Sequence, residues 1–355
     1  MKLLFYINTL GHGGAERVMV NLANRFSLFG HDCVLVTSFS AEWEYPSAEN
    51  VLRINLSSKK TNGFIKRNFK LTKEIREIIK KEKPDSVISF MAEPNFRMLL
   101  ATVGLKCRKI VSVRNDPDKE YPNALFKLLA KTLYKLADGV VFQTVDAQKW
   151  FPKYIQKKSR IIMNQVDDVF FNTQLQENRK NIVTIGRLTA QKNHKMLIKA
   201  FYEISSQIED NLIIYGEGEL REELEALVKE LGLENRVFLP GTTKTVPDVL
   251  SKAKLFVLSS DYEGMPNALL EAMAMGVPCI STDCPCGGPR EIFAGLSENH
   301  LVDVGDTVKM SKAIKLFCDM NGEMFDSVSV QTRKIAQSFK SENVEKEWKL
   351  FIEVK

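Results

Sequence analysis

The chain has 355 residues, 44% of them hydrophobic and 26% charged, with a formal net charge of +6. This is ordinary globular composition, long for one core and comfortable for two domains, and it excludes a disordered or fibrous chain. No apolar run approaches the ~18–20 residues that span a bilayer, and with a modest charge and no recognition module, nucleic acid is not an expected partner.

The chain opens on Met1-Lys2-Leu3-Leu4-Phe5-Tyr6-Ile7, which reads as a first strand, Leu3 to Asn8, and not as a signal peptide. A helix Glu16 to Phe29 and a strand Cys33 to Thr37 follow. The loop between the first strand and helix, Gly11-His12-Gly13-Gly14-Ala15-Glu16-Arg17, carries glycines that let backbone N–H groups approach a phosphate at a helix N-terminus. Glu16 breaks the G-x-G-x-x-G spacing, which argues against a nicotinamide cofactor.

The next helix, Phe64 to Lys83, is basic and amphipathic. Phe64, Leu71, Ile75 and Ile78 recur at helical spacing with Lys66, Arg67, Lys70, Lys73 and Arg76 between them, and Lys59-Lys60 precede it. Such a helix either lies on an anionic membrane surface or turns its apolar stripe into the core. It accounts for much of a charge asymmetry: residues 1–170 hold 28 Lys and Arg against 17 Asp and Glu, the remainder 22 against 27.

Strands Ser86 to Phe90, Ile110 to Val113 and Gly139 to Thr144 continue the series. After Val113 comes Arg114-Asn115-Asp116-Pro117-Asp118, where Asp116 and Asp118 spell a D-x-D of the kind that holds a divalent metal in a different architecture. The pattern lapses between Met163 and Lys180, around Asp167-Asp168, and this is read as a linker between domains at 1–165 and 178–340. The second series has strands Ile182 to Gly186, Asn211 to Tyr215, Arg236 to Leu239, Leu255 to Ser259 and Pro278 to Ser281, and a tail helix follows at about 343–355. Strand–helix alternation of this kind predicts α/β architecture with parallel, doubly wound sheets. The six cysteines are scattered and Cys284-Pro285-Cys286 is not a C-x-x-C, so they suggest a reducing cytoplasm and neither a metal nor a redox pair.

Chemistry concentrates in the second series. Gly186-Arg187-Leu188-Thr189-Ala190-Gln191-Lys192 lies between a strand and a helix Lys195 to Ile208. A planar fork of donors and a point charge at a helix N-terminus make a clamp for a diphosphate. Further on, Glu263 sits in a strand-to-helix loop and Glu271 about one turn into a helix running from Asn267 to a stop at Gly276. Ligands of doubly wound sheets bind beyond the carboxyl ends of the strands, where both acids fall.

Four elements in sequence order carry a resemblance: Gly13-Gly14-Ala15-Glu16-Arg17, Gly186-Arg187 with Lys192, Tyr215-Gly216-Glu217-Gly218-Glu219-Leu220-Arg221, and Glu263 with Glu271 in an E-x7-E arrangement. Over nearly its whole length the chain resembles a retaining glycosyltransferase of family 4. The resemblance implies the GT-B fold, two Rossmann-like doubly wound domains facing a central cleft, with the tail helix crossing back to the first. It implies a nucleotide sugar, commonly UDP-linked, as co-substrate and no cofactor or metal. Arg187 and Lys192 would stabilise the leaving diphosphate, with Glu263 on the donor sugar and Glu271 on the ribose. Gly186, Gly264, Met265, Pro266, Asn267 and Gly14 would complete the donor site. Many family members carry a histidine after the strand at Val111-Ser112-Val113, where this chain has Arg114 and Asn115; these, with His12 and Gly13, are the expected contacts to acceptor or donor sugar. The implied acceptor is a glycan, polyprenyl-diphosphate-linked, met by a cytoplasmic enzyme peripheral on the inner face of the membrane. A non-catalytic scaffold on the same fold and a nucleotide-sugar epimerase are the competing readings.

Overall fold

The computed structural model describes residues 1–11, 13–56, 63–320 and 322–353. His12, Lys59 and Lys60 lie outside the described residues. The chain divides into two compact units, Met1–Asn164 with Val344–Lys355, and Gln165–Asn343.

The first unit is built on seven parallel strands: β1 (Lys2–Ile7), β2 (Asp32–Thr37), β3 (Val51–Asn55), β4 (Ser86–Phe90), β5 (Arg108–Ser112), β6 (Gly139–Phe142) and β7 (Ser159–Ile161), in the order β3-β2-β1-β4-β5-β6-β7. β4 and β6 are buried at every position, as expected where helices cover both faces of a parallel sheet and strands read as unbroken apolar runs. Helix Gly14–Leu28 turns Val18, Met19, Leu22, Ala23 and Phe26 onto the sheet. The tail helix Ser341–Glu353 adds Val344, Trp348, Phe351 and Ile352 to that same core, and Arg25 Nε holds Glu345 Oε1 at 2.7 Å.

Helix Phe64–Glu82 turns an apolar stripe into the core. Leu71, Ile75 and Ile79 form the buried stripe, spaced four residues apart along one face. Phe64, Ile65 and Phe69 in its first two turns remain 52%, 82% and 74% exposed.

The second unit has six parallel strands: β8 (Lys180–Ile185), β9 (Leu212–Tyr215), β10 (Val237–Gly241), β11 (Ala253–Leu258), β12 (Cys279–Thr282) and β13 (Leu301–Val302), ordered β10-β9-β8-β11-β12-β13. Two expectations need correction. Residues 165–179 are not a linker: they belong to the second unit, where Asp167 caps helix Asp168–Asn172 and Phe170 and Phe171 are buried. The helix expected over Lys195 to Ile208 spans His194–Tyr202 and then breaks into turns with Ile204 N bonded to Phe201 O and Gln207 N to Ile204 O. Serine hydroxyls compete there for the backbone, and Ser205 Oγ bonds Tyr202 O. Strands β3, β7 and β13 were not read from the pattern at all.

Candidate active site

In a sheet ordered 3-2-1-4 the loops leaving the first and fourth strands diverge to opposite faces and open a crevice at the carboxyl edge. In the second unit these are the loops after β8 and β11, and hydrogen bonds from backbone and side chains join them at several points. Asp261 N donates to Gln191 O at 2.8 Å, Asn193 Nδ2 to Asp261 Oδ1 at 2.6 Å, and Ser259 Oγ to Lys192 O at 2.9 Å. Asn193 takes a left-handed conformation, φ 42°, and its side chain caps helix His194–Tyr202 through Met196 N, a role asparagine fills at low steric cost.

Lys192 and Glu263 meet at the centre of this joint. Lys192 Nζ lies 2.5 Å from Glu263 Oε1, which also accepts from Ser260 Oγ at 2.7 Å. Gln191 Nε2 donates to Tyr262 O at 2.9 Å and reaches Glu263 Oε2 at 3.5 Å. Glu263 is only 7% exposed, so the carboxylate leaves water with its charge answered on several sides. The methylenes of Lys192 pass over Gly186, where a Cβ would stand 3.3 Å from Lys192 Cε. Arg187, by contrast, is exposed on the same loop.

Glu271 occupies the fifth position of helix Asn267–Met275, and from Leu269 onward every residue of that helix is buried, Glu271 included at 5% exposure. The helix ends at Gly276 in the left-handed region, φ 82°. Met265 and Pro266 are buried and Asn267 half-buried at its start. Gly264 is pressed by the neighbouring turn: a Cβ on Gly288 would fall 1.8 Å from Gly264 O. A comparable approach places the loop after β9 against Leu188, with Leu188 N bonded to Glu217 O and Leu220 N to Leu188 O. Arg221 of that loop is engaged with Glu217 and Glu225.

The ring of His194 is 3% exposed and lies beside the backbone of Gly186 and Arg187. Burial first, and the Lys192 charge second, lower its pKa to about 4, so it stands neutral beneath the loop after β8.

The remaining candidates belong to the first unit. Gly13 precedes helix Gly14–Leu28, and the Glu16 carboxylate folds over it. Arg114 and Asn115 follow β5, and their backbone N–H groups both donate to Glu120 Oε2, at 2.9 and 3.0 Å. Burial raises the Glu120 pKa to about 7. The D-x-D is otherwise employed: Asp116 Oδ1 accepts from Asp118 N at 3.0 Å, while Asp118 Oδ1 pairs with Lys127 Nζ at 2.5 Å and accepts from Trp150 Nε1 at 3.1 Å.

Comparison with known proteins places this geometry. Residues 165–334 match the model of glycosyl transferases group 1, and residues 12–170 that of glycosyltransferase family 4. An uncharacterised glycosyltransferase of Methanocaldococcus jannaschii is 31% identical over 344 residues, covering 81% of this chain and 83% of the relative. The chain belongs to the family 4 glycosyltransferases. Another relative, 29% identical over 366 residues with 100% and 99% covered, is the Campylobacter jejuni enzyme named GalNAc-alpha-(1->4)-GalNAc-alpha-(1->3)-diNAcBac-PP-undecaprenol alpha-1,4-N-acetyl-D-galactosaminyltransferase. Among solved structures, the Anabaena protein HepE in complex with UDP and glucose superposes with a TM-score of 0.81 at 16% identity, covering 100% of both chains. Each half of the glycosyltransferase is thus a Rossmann-like domain of the GT-B fold.

Sequence reasoning did not single out Gln191, Asn193, His194, Ser259, Ser260 or Asp261. The signal was present, since Ser259-Ser260-Asp261 is a polar run at the carboxyl end of a buried strand and Asn193 stands directly before a helix. What the sequence does not show is that these two loops, some 70 residues apart, close on one another.

Proposed function

We propose that the enzyme is a retaining, metal-independent glycosyltransferase that moves a hexose or N-acetylhexosamine from a UDP-sugar to a polyprenyl-diphosphate-linked glycan. The observation that carries this reading is the pairing of half-buried Lys192 with buried Glu263 beside exposed Arg187, at the carboxyl edge between β8 and β11. The donor class is supported by the UDP bound in the HepE structure, and the acceptor class by the undecaprenol named in the Campylobacter relative.

In this mechanism the bond between the anomeric carbon and the diphosphate oxygen breaks while the acceptor oxygen attacks the same face. The acceptor proton passes to the departing phosphate oxygen, so one C–O bond replaces another and no carboxylate need become a nucleophile. Arg187 and Lys192 stabilise the charge growing on the diphosphate, a contribution that increases toward the transition state. Glu263, held by Lys192 and Ser260, presents its remaining lone pairs to the donor sugar, and Glu271 accepts from the ribose hydroxyls. Asp116 and Asp118 are committed to a helix cap and an ion pair, which favours cationic side chains as the leaving-group partners.

The acceptor reading extends to the membrane. No helix among the described residues is long and apolar enough to cross one. The exposed Phe64, Ile65 and Phe69, interleaved with exposed Lys66, Lys70 and Lys73, form a surface suited to an anionic leaflet on the cytoplasmic side. The test of the reaction is transfer from UDP-sugars to a polyprenyl-diphosphate glycan in excess chelator, with the product anomer read by NMR. Full activity and retained configuration are expected. Loss in chelator with rescue by Mn²⁺ would overturn metal independence, an inverted product would overturn retention, and release of an altered free sugar without acceptor would point to an epimerase.

A further inference from the structure

We infer that the first unit meets an anionic leaflet at a second place besides helix Phe64–Glu82, through the outward face of helix Ala124–Leu133 and the aromatic and lysine side chains beside it. This deepens the acceptor reading above and rests on it for the presence of a membrane, but the observations come from a part of the unit which that reading does not use. The crossovers β3 to β4, β4 to β5 and β5 to β6 all run the same way across the sheet. Their right-handedness therefore puts helices Phe64–Glu82, Ala92–Ala101 and Ala124–Leu133 side by side on one face, and the middle helix touches both of the others. Each begins at the carboxyl edge, so the first turns of the two outer helices lie along that edge, two interaxial spacings or roughly 16–20 Å apart.

Helix Ala124–Leu133 packs on its own domain with one face only: Phe126 lies 5.8 Å from Phe96 of the middle helix, and Ala130 is fully buried. The other face carries Leu125 and Leu128, 61% and 62% exposed and one turn apart. Beside them, Lys131 Nζ stands 4.7 Å from the Trp150 ring centroid and Lys135 Nζ 5.2 Å from that of Tyr154, whose Oη bonds the Lys131 carbonyl at 2.8 Å. Side chains with apolar bodies and polar or charged tips suit the headgroup level of a bilayer, and exposed leucines among lysines suit the layer just beneath it. The charge is complementary to an anionic surface, since residues 118–158 hold 8 Lys and no Arg against 4 Asp and Glu. Of those acids, Asp118 is paired with Lys127, and Glu120 accepts from the backbone of Arg114 and Asn115. A single exposed turn leaves a bound domain free to pivot. Two contacts on one face fix a plane, and they turn the carboxyl edge, where ligands of such a sheet bind, toward the depth at which a polyprenyl diphosphate sits.

The test uses the full chain with vesicles of phosphatidylglycerol mixed into phosphatidylcholine, and compares wild type, Leu125→Ser/Leu128→Ser and Ile65→Ser/Phe69→Ser by co-sedimentation. Both leucines are exposed, so their variant should keep the wild-type Tm while its vesicle affinity falls on the order of 10-fold or more. Trp150 reports the same contact without altering it. In a Trp43→Phe variant the other remaining tryptophan is Trp348, 1% exposed. Brominated acyl chains should quench the emission of that variant on anionic vesicles, and adding Trp150→Phe should abolish the effect. Undiminished affinity in Leu125→Ser/Leu128→Ser overturns the proposal, as does an unquenched Trp150 on vesicles that carry the protein down. So does a wild type that binds no vesicles, whether or not it binds soluble dextran sulfate. Binding lost in Ile65→Ser/Phe69→Ser alone would leave the membrane reading standing and remove this second contact. Vesicle binding that depends on Leu125 and Leu128, without transfer to any lipid-linked glycan, would sink the functional reading and keep the contact.

Discussion

The two sheets run the same strand order through six strands, yet their carboxyl edges solve the problem of buried charge differently. In the second unit a cation meets its anion within the protein, Lys192 on Glu263. In the first, Arg97 is 3% exposed and spreads its donors over Tyr6 Oη, Asn8 Oδ1, Ser38 Oγ and Asn68 Oδ1 besides Glu93, and Arg114 keeps two donors unspent. Each edge thus pairs one cation with a carboxylate, Lys192 with Glu263 and Arg97 with Glu93, while Arg114 leaves two of its donors without a partner among the described residues. Strand order therefore tells where a ligand goes, while loop chemistry tells what it must be.

The sharpest way to break the comparison is to remove the cation of the matched pair. Lys192→Met leaves Glu263 buried without its partner and is expected to cost roughly 3–5 kcal/mol of stability, together with a fall in turnover on the order of 10²–10³-fold. The double variant Lys192→Met/Glu263→Gln should regain most of the stability and none of the turnover. If activity returned with stability, the pair would be structural only. Exposed Arg187→Ala should change stability by no more than about 0.5 kcal/mol while lowering turnover on the order of 10²-fold. Urea melts and steady-state kinetics on the same preparations separate the two effects.

His194 gives the next largest effect and is confined to the second unit. Its folded pKa, lowered from 6.5 to about 4 by burial and by Lys192, means that between these values the unfolded chain binds a proton that the folded one refuses. Stability is thus complete above pH 6.5 and declines as pH falls toward 4, by up to about 3 kcal/mol on the scale of 1.36 kcal/mol per pH unit. His194→Gln should flatten this part of the profile. All three tryptophans, Trp43, Trp150 and Trp348, lie in the first unit, so their fluorescence should show no such difference between variant and wild type. A difference seen only by far-UV circular dichroism places the titration in the second unit; an identical acid slope in both proteins would remove His194 as its cause.

Glu271→Ala is expected to weaken nucleotide binding by about 1.5–3 kcal/mol, through loss of hydrogen bonds to a charged acceptor. Calorimetry with UDP checks it, and unchanged affinity would take Glu271 out of the donor site. The buried helix around it, Asn267–Met275, makes Glu271→Gln the companion variant, since it keeps the volume and isolates the charge.

Much of this was legible because parallel strands buried on both faces leave continuous apolar runs. Ser86–Phe90 falls where the run predicts, and Gly276 stops its helix in the left-handed conformation that glycine tolerates. The strands that escaped notice are edge or near-edge elements: β3 reads Val-Leu-Arg-Ile-Asn with only Val51 buried, β7 has 3 residues and β13 has 2. Too short or too mixed, they leave no period to find. At the site, the basic loop and the two glutamates could be named from residue types. The closure of Asn193 on Asp261 could not, because long-range side-chain pairing leaves no local trace. Asp167-Asp168 misled for the opposite reason, since its polarity marks a helix cap within a domain as readily as a linker.

The smallest expected effect, per residue, is at the membrane face proposed for the first unit. The helix Phe64–Glu82 buries Leu71, Ile75 and Ile79 and so is anchored to its own domain whatever the lipid does. Only its first turns are open to a leaflet. Each exposed lysine there contributes about 1 kcal/mol near an anionic surface, so Lys66→Gln, Lys70→Gln and Lys73→Gln should each reduce binding several-fold and act nearly additively. Lys70, which lies 3.8 Å from Glu74, should contribute least. Raising salt should mimic the substitutions, because the attraction fades beyond about 8 Å at physiological ionic strength, whereas Ile65→Ser and Phe69→Ser should weaken binding without changing its salt dependence. Co-sedimentation with phosphatidylglycerol and phosphatidylcholine vesicles measures both. Equal binding to the two lipids would mean that charge plays no part. No binding to either would leave the exposed phenylalanines without a membrane role and favour a soluble acceptor, while leaving the second unit's matched pair, and the tests of it, untouched.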